Sequence, residues 1–143
     1  MTERTTIKVH WSFWAIGVFM LIWNALGAAN FFAQMNPEIL EGYRESERAI
    51  IEGRPAWATI SFAVAVFGGT IGCLLLLLRS TKAYYVFLAS LVGVILTIAH
   101  SLSVDISFGA GEIVGIVIMP VAVAAFLVWY TKKTVSIGWI PKT

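Results

Sequence analysis

The sequence predicts an all-α integral membrane protein: a four-transmembrane-helix bundle with both termini cytoplasmic and a short amphipathic helix in the first outer loop. Three observations carry this. The 143-residue chain is 59% hydrophobic and 13% charged, with a mean hydropathy of +0.84, whereas soluble domains are about a quarter charged. The apolar residues gather in four blocks, about 11–34, 57–78, 83–103 and 112–131, each long enough at 1.5 Å per residue to cross a hydrocarbon core of roughly 30 Å. The basic residues divide unevenly between the two sides that this threading defines. Arg4, Lys8, Arg79, Lys82, Lys132, Lys133 and Lys142 fall on one side, and Arg44, Arg48 and Arg54 on the other. The positive-inside rule makes the first side cytoplasmic. A single membrane domain covers 1–143.

Residues 1–10 form a short polar arm. The first span, about 11–34, holds no ionisable side chain, yet carries Asn24 and Asn30 within it. An amide facing lipid has no water to bond, so one face of this helix must turn toward protein. Arg4, Lys8 and the run Gly27-Ala28-Ala29 give the block some features of a signal peptide. Its continuation through Phe31 and Phe32, and the presence of Trp14 and Trp23, argue for a retained span. The outer loop follows at 35–56. Asn36-Pro37-Glu38 reads as a capped helix start, and Ile39, Leu40, Tyr43, Ile50 and Ile51 share one side of a helix over 37–53, ended by Gly53 and Pro55. It lies on the membrane surface or caps the bundle, unless the segment is a solvated charged loop.

The second and third spans are joined by Arg79-Ser80-Thr81-Lys82, a link short enough to make them antiparallel neighbours. A Gly-containing link leads to the fourth span, where Pro120 should bend the helix. Trp139 and Ile140 give the tail a means of lying on the membrane surface. Every span has a stripe of small or polar residues at helical spacing. These are Gly17, Asn24, Gly27 and Ala28; Ser61, Ala65, Gly68 and Gly72; Ser90, Gly93, Thr97, His100 and Ser101; and Gly111, Gly115, Ala122 and Ala125. Such stripes let membrane helices approach closely. Gly27, Gly68, Gly72, Gly93, Gly111 and Gly115 are the candidate packing positions, and a stripe can equally serve a homo-oligomer.

No Asp, Glu, Lys or Arg lies mid-span, which argues against a carboxylate-driven proton pump or a voltage sensor. His10 and His100 belong to opposite sides of the membrane, so no metal or heme site is expected. Cys73 is the only cysteine, which excludes an intrachain disulfide and a CxxC centre. The small net charge of +2 gives no reason to expect nucleic acid as a partner. No cofactor is implied, and GxSxG, HExxH and phosphate-loop patterns are absent. His100 and Ser101 diverge by about 100° on a helix and cannot act as base and nucleophile.

Asn30, Gln34, Ser61, Thr97, His100 and Ser101 all belong to the outer half of the spans, with Asn24 deeper and Asp105, Glu112 and Arg54 just above them. If their stripes face inward, they form a ligand-binding site open to the outside, and His100 beside Asp105 becomes a titratable pair. If not, they are helix–helix bonds.

Trp23, Asn24 and Gly27, then Arg54-Pro55 and Trp57, then Gly69 to Arg79 with its leucine run form a combined pattern. It resembles a group of short bacterial inner-membrane proteins of unsettled function, some loosely labelled "sugar transporter". The likeness covers roughly residues 11–100. Three function classes follow. The first is a non-catalytic accessory or assembly partner of a larger membrane-protein complex in the lipid bilayer. The second is a transporter or channel for a small, possibly sugar-like, solute acting as an oligomer. The third and weakest is a membrane enzyme. A cavity reaching past Asn24 marks the transporter; a sealed bundle with an open small-residue face marks the accessory protein.

Overall fold

The computed structural model describes residues 8–104 and 108–141, and the regular secondary structure over them is all helical. Arg4, Asp105 and Lys142, invoked above for charge bias and for the His100 pair, lie outside the described residues. The helices are α1 (Trp11–Ala33), α2 (Pro37–Leu40), α3 (Glu45–Glu52), α4 (Ala56–Leu77), α5 (Lys82–Ser103), α6 (Ala110–Ile113) and α7 (Met119–Ser136), with a π-helical turn, Val114–Ile118, joining the last two. Four stretches are long and apolar enough to cross a membrane: α1, α4, α5 and the continuous run Ala110–Ser136. The chain is a small polytopic membrane protein.

The four long helices pack side by side in the order α1, α4, α5, α7. The start of α1, the end of α7 and the α4–α5 link lie at one end of the bundle, here the terminal end; α2, α3 and the start of α6 lie at the other, the loop end. Contacts between α1 and α4 run in opposite sequence directions. A Cβ on Gly17 would meet Leu77, one on Gly27 would meet Val66, and Phe31 packs on Phe62 and Phe67. The α4–α5 pair is tighter. A Cβ on Gly93 would lie 2.7 Å from the Ser61 carbonyl oxygen and 2.8 Å from the Ala65 nitrogen; one on Gly72 would enter the Phe87 ring at 2.5 Å; one on Gly68 would stand 3.2 Å from Ser90 Cβ. The Ser90 hydroxyl donates across this contact to the Ala65 carbonyl at 2.7 Å. Close approach of two backbones gives each polar group a partner that lipid cannot supply.

At the terminal end the core is apolar and closed. Phe13, Cys73, Leu76, Leu127, Tyr130 and Ile140 are buried together, with the Phe13 and Tyr130 rings stacked 6.4 Å apart. The tail corrects an expectation: Ile140 is wholly buried and Trp139 packs beneath the bundle, edge-on to Phe13. Arg79 explains why. It takes the left-handed conformation, φ 58°, after the end of α4. The Ser80 amide bonds the Leu75 carbonyl and the Arg79 amide that of Leu76. This is the helix-ending loop that usually employs glycine. An arginine there costs about 1–2 kcal/mol in backbone strain, and its Nε donates to the Trp139 carbonyl at 2.7 Å, tying the tail to the α4–α5 turn.

Two helices differ from the sequence reading. The outer segment 37–53 is two short helices, because the chain turns at Gly42 and Tyr43, whose amides bond back to Ile39 and Leu40, and Arg44 is extended. The fourth span does not stop at 131. Thr131 and Thr134 are buried, their hydroxyls donate to the Leu127 and Thr131 carbonyls, and the helix continues to Ser136. Within that span Pro120 is preceded by the π-helical turn. The proline ring clashes with the carbonyl four residues back, and the helix widens so that the Met119 amide reaches the Val114 carbonyl.

The glycines therefore divide into two groups with a measurable contrast. Gly93→Ala forces a methyl group into the α4 backbone and should cost about 1–3 kcal/mol. Ser90→Ala removes one interhelical hydrogen bond and should cost about 0.6 kcal/mol. Gly115→Ala, which meets nothing within 4 Å, should be neutral or slightly stabilising through helix propensity. Reversible unfolding of the reconstituted protein should rank the three in that order.

Candidate functional site

A cavity of about 870 Å³ opens between α1 and α7, floored by α4 and α5 and roofed by the α2–α3 segment. It exists because the helices that border it diverge. At the terminal end Phe13 and Tyr130 bring α1 and α7 together. Toward the loop end Gly111 and Gly115 line the cavity with no atom within 4 Å of where a Cβ would stand. These two glycines were expected to pack against a neighbouring helix; within this chain they form open wall instead. Gly27 also borders the space, whereas Gly68, Gly72 and Gly93 lie in the α4–α5 contact.

Four of the six predicted ligand residues line this cavity: Asn24, Asn30, Gln34 and Thr97. Asn24 lies at its deep end. Its amide nitrogen donates to the Met20 carbonyl at 2.8 Å and approaches Cys73 Sγ at 3.7 Å, and its oxygen occupies the space that a Cβ on Gly69 would need. Asn30 accepts from the Tyr43 hydroxyl, which fastens the roof to α1. The Thr97 hydroxyl donates to the Gly93 carbonyl at 2.7 Å. Ser61 and His100 are elsewhere. Ser61 is buried in the α4–α5 contact and donates to the Trp57 carbonyl. His100 is buried against the edge of the Trp57 ring and hydrogen-bonds the Gly53 backbone. A polar residue at the right depth can point to the wrong side of its helix, and spacing alone does not choose the side.

The roof and the start of the fourth span supply further polar groups; the sequence reading sets Arg54 and Glu112 just above the site and leaves Tyr43, Arg44 and Glu47 out of it. Tyr43, Arg44, Glu47 and Arg54 border the cavity, together with Glu112 at the start of the fourth span. The Ser46 hydroxyl donates to Glu112 at 2.7 Å, a second fastening between α3 and the bundle. Ile50 is buried beneath the roof, and the Arg54 guanidinium lies over the Phe62 ring at 4.8 Å. Partial burial holds Arg54 below the ordinary guanidinium value, and desolvation followed by the nearby Glu47 charge holds the Tyr43 phenol above its usual value. The sequence signal for this roof was an aromatic residue, Tyr43, breaking a run of charges.

Among the described residues, two buried side-chain atoms have no hydrogen-bond partner, Gln34 Oε1 and the Tyr130 hydroxyl. Tyr130 belongs to the closed terminal core; Gln34 belongs to the cavity. No group of His, Cys, Asp and Glu among the described residues is arranged to hold a metal ion. No protein-family model, curated protein or solved structure matches the chain.

Tyr43 offers a direct reading of the roof. The phenol is a donor to Asn30 only while protonated, and its raised pKa keeps it so to higher pH. The fastening is complete below the usual phenol value near 10 and is lost as pH rises through the higher folded value. In spectrophotometric titration, the difference between the native chain and Tyr43→Phe should show tyrosinate appearing above the ordinary phenol midpoint. A midpoint at or below that value contradicts this geometry.

Proposed function

We propose that the protein is a solute-handling protein of the bacterial inner membrane, which binds a small molecule in the cavity between α1 and α7. One observation carries the reading: a cavity of about 870 Å³, within the roughly 300–1,000 Å³ typical of small-molecule sites, reaches inward as far as Asn24 and Leu127; it supports binding, and the continuation past Asn24 expected of a transport path is closed by the terminal core. An accessory protein needs only a sealed bundle. The cavity is blind. Phe13, Leu76 and Tyr130 close the terminal end, so an open channel is disfavoured, and any passage through the protein requires that α1 and α7 part at the Phe13–Tyr130 contact.

The charge bias supports an orientation with the termini in the cytoplasm and the roofed mouth on the outer side. A ligand then arrives beneath α2–α3 from outside. The accessory reading keeps one specific support, the unpacked Gly111–Gly115 face. Intact-complex mass measurement from native nanodiscs separates the two: a stoichiometric larger partner favours the accessory protein, and a monomer or small homo-oligomer favours the solute handler.

Cysteine accessibility tests the cavity itself. Thr97→Cys should react with a small water-soluble thiol reagent in right-side-out vesicles, and far more slowly in inverted ones. The native Cys73, wholly buried in the terminal core, should stay unreactive and serves as internal control. If the introduced thiol reacts from neither side, the bundle is sealed and the solute-handling reading falls. Faster reaction in inverted vesicles reverses the assigned orientation.

A further inference from the structure

The cavity has two chemistries along its length. Its deeper wall is apolar, with Val66, Phe87, Val94, Ile116 and Leu127. Its mouth carries Arg44 and Arg54 against Glu47 and Glu112, two charges of each sign. There, too, lies Gln34, whose buried Oε1 accepts no hydrogen bond. A buried acceptor without a donor is costly, and a ligand N–H or O–H relieves it. From Asn24 to Gln34 the trough runs about 15 Å along α1, parallel to the lipid chains outside.

The trough is also open sideways. Leu26 and Trp23 on α1 border it while remaining 65% and 39% exposed, and Gly111 and Gly115 are exposed on the opposite side. Trp23 and Leu26 are near the middle of α1, at the depth where a spanning helix meets hydrocarbon rather than water. A wholly polar solute would satisfy the mouth and leave the apolar wall against nothing. A molecule with a polar head and an apolar chain fits both parts and has a route of entry from the bilayer.

We infer that the ligand is a zwitterionic phospholipid-type amphiphile whose head group carries a phosphate and a primary ammonium, with one acyl chain in the trough; this rests on the ligand-binding reading of the cavity. The guanidiniums of Arg44 and Arg54 suit the phosphate. The carboxylates of Glu47 and Glu112 suit the ammonium, whose N–H groups also answer the Gln34 acceptor. A trimethylammonium head has no N–H to give Gln34, and an anionic head leaves both carboxylates opposed.

The test uses the full chain in phosphatidylcholine nanodiscs. The probe is a single-chain phosphoethanolamine lipid with a photoreactive diazirine in mid-chain, and crosslinked peptides are mapped by mass. Labelling should saturate and concentrate at Trp23–Gly27 and Gly115–Pro120. Unlabelled single-chain phosphoethanolamine lipid should compete about tenfold better than its choline counterpart, the ratio expected for one lost charge-assisted hydrogen bond. Free phosphoethanolamine should not compete. Gly115→Leu, at a position that lines the trough and where a Cβ would meet nothing within 4 Å, should abolish the localised labelling while helicity and thermal stability are retained; Gln34→Leu should erase the preference for ethanolamine over choline. Labelling that never saturates, spreads over every lipid-facing helix, or survives Gly115→Leu overturns the inference. So does equal competition by the choline lipid, or by free phosphoethanolamine, which would mark a site for the head group alone. If lipid labelling fails while Thr97→Cys reacts, the amphiphile is wrong and the cavity reading stands; if both fail, both are wrong.

Discussion

Everything in the bundle depends on how closely α4 and α5 approach at Gly93. The absent Cβ brings the Ser61 carbonyl and the Ala65 amide against the α5 backbone, and Ser90 adds a hydroxyl-to-carbonyl bond one turn away. A membrane offers little hydrophobic gain for helix association, so small residues and shared hydrogen bonds must supply the specificity. With this pair set, α1 lays its glycines on α4, and α7 leans on α5. The cavity is what remains where α1 and α7, the outer members of the row, fail to meet. Tight packing on one side of the bundle is thus the condition for space on the other.

The spans were legible because each is a long apolar block, a signal that depends on composition rather than on partners. The ends were less so. Thr131, Lys132 and Lys133 look like the end of a span, yet threonine hydroxyls can return to the backbone of their own helix, and α7 runs on. The outer segment had a helical pattern over 37–53, but one glycine and one tyrosine turned toward Asn30 divide it. The buried tail was invisible for a different reason. Its anchor, Arg79, is a residue that rarely occupies a left-handed turn, and its partner is a backbone carbonyl 60 positions away.

The site was half legible for a geometric reason. Depth in the membrane follows from counting along a helix, and counting placed Asn30, Gln34 and Thr97 at the right level. Rotation about the helix axis needs the neighbours, and on rotation Ser61 and His100 fall into helix contacts instead. The charged mouth was legible in part: Arg54 and Glu112 follow from depth, whereas Arg44 and Glu47 look like ordinary solvated loop residues until Tyr43 and Ser46 fasten that loop across the bundle.

The π-helical turn before Pro120 has a consequence for how the chain tolerates length changes. A π turn holds one residue more than the α-helical turn it replaces. Deleting one residue of Val114–Ile118 would therefore exchange the wide turn for an α-helical one that completes about the same rotation. Gly111 and Glu112 would keep their side of the helix, and Ser46 its acceptor. The cost would be local: the Pro120 ring would again meet the carbonyl four residues before it, and the helix would have to bend there. The extra residue thus lets the fourth span carry a proline without changing which side of the helix faces the cavity.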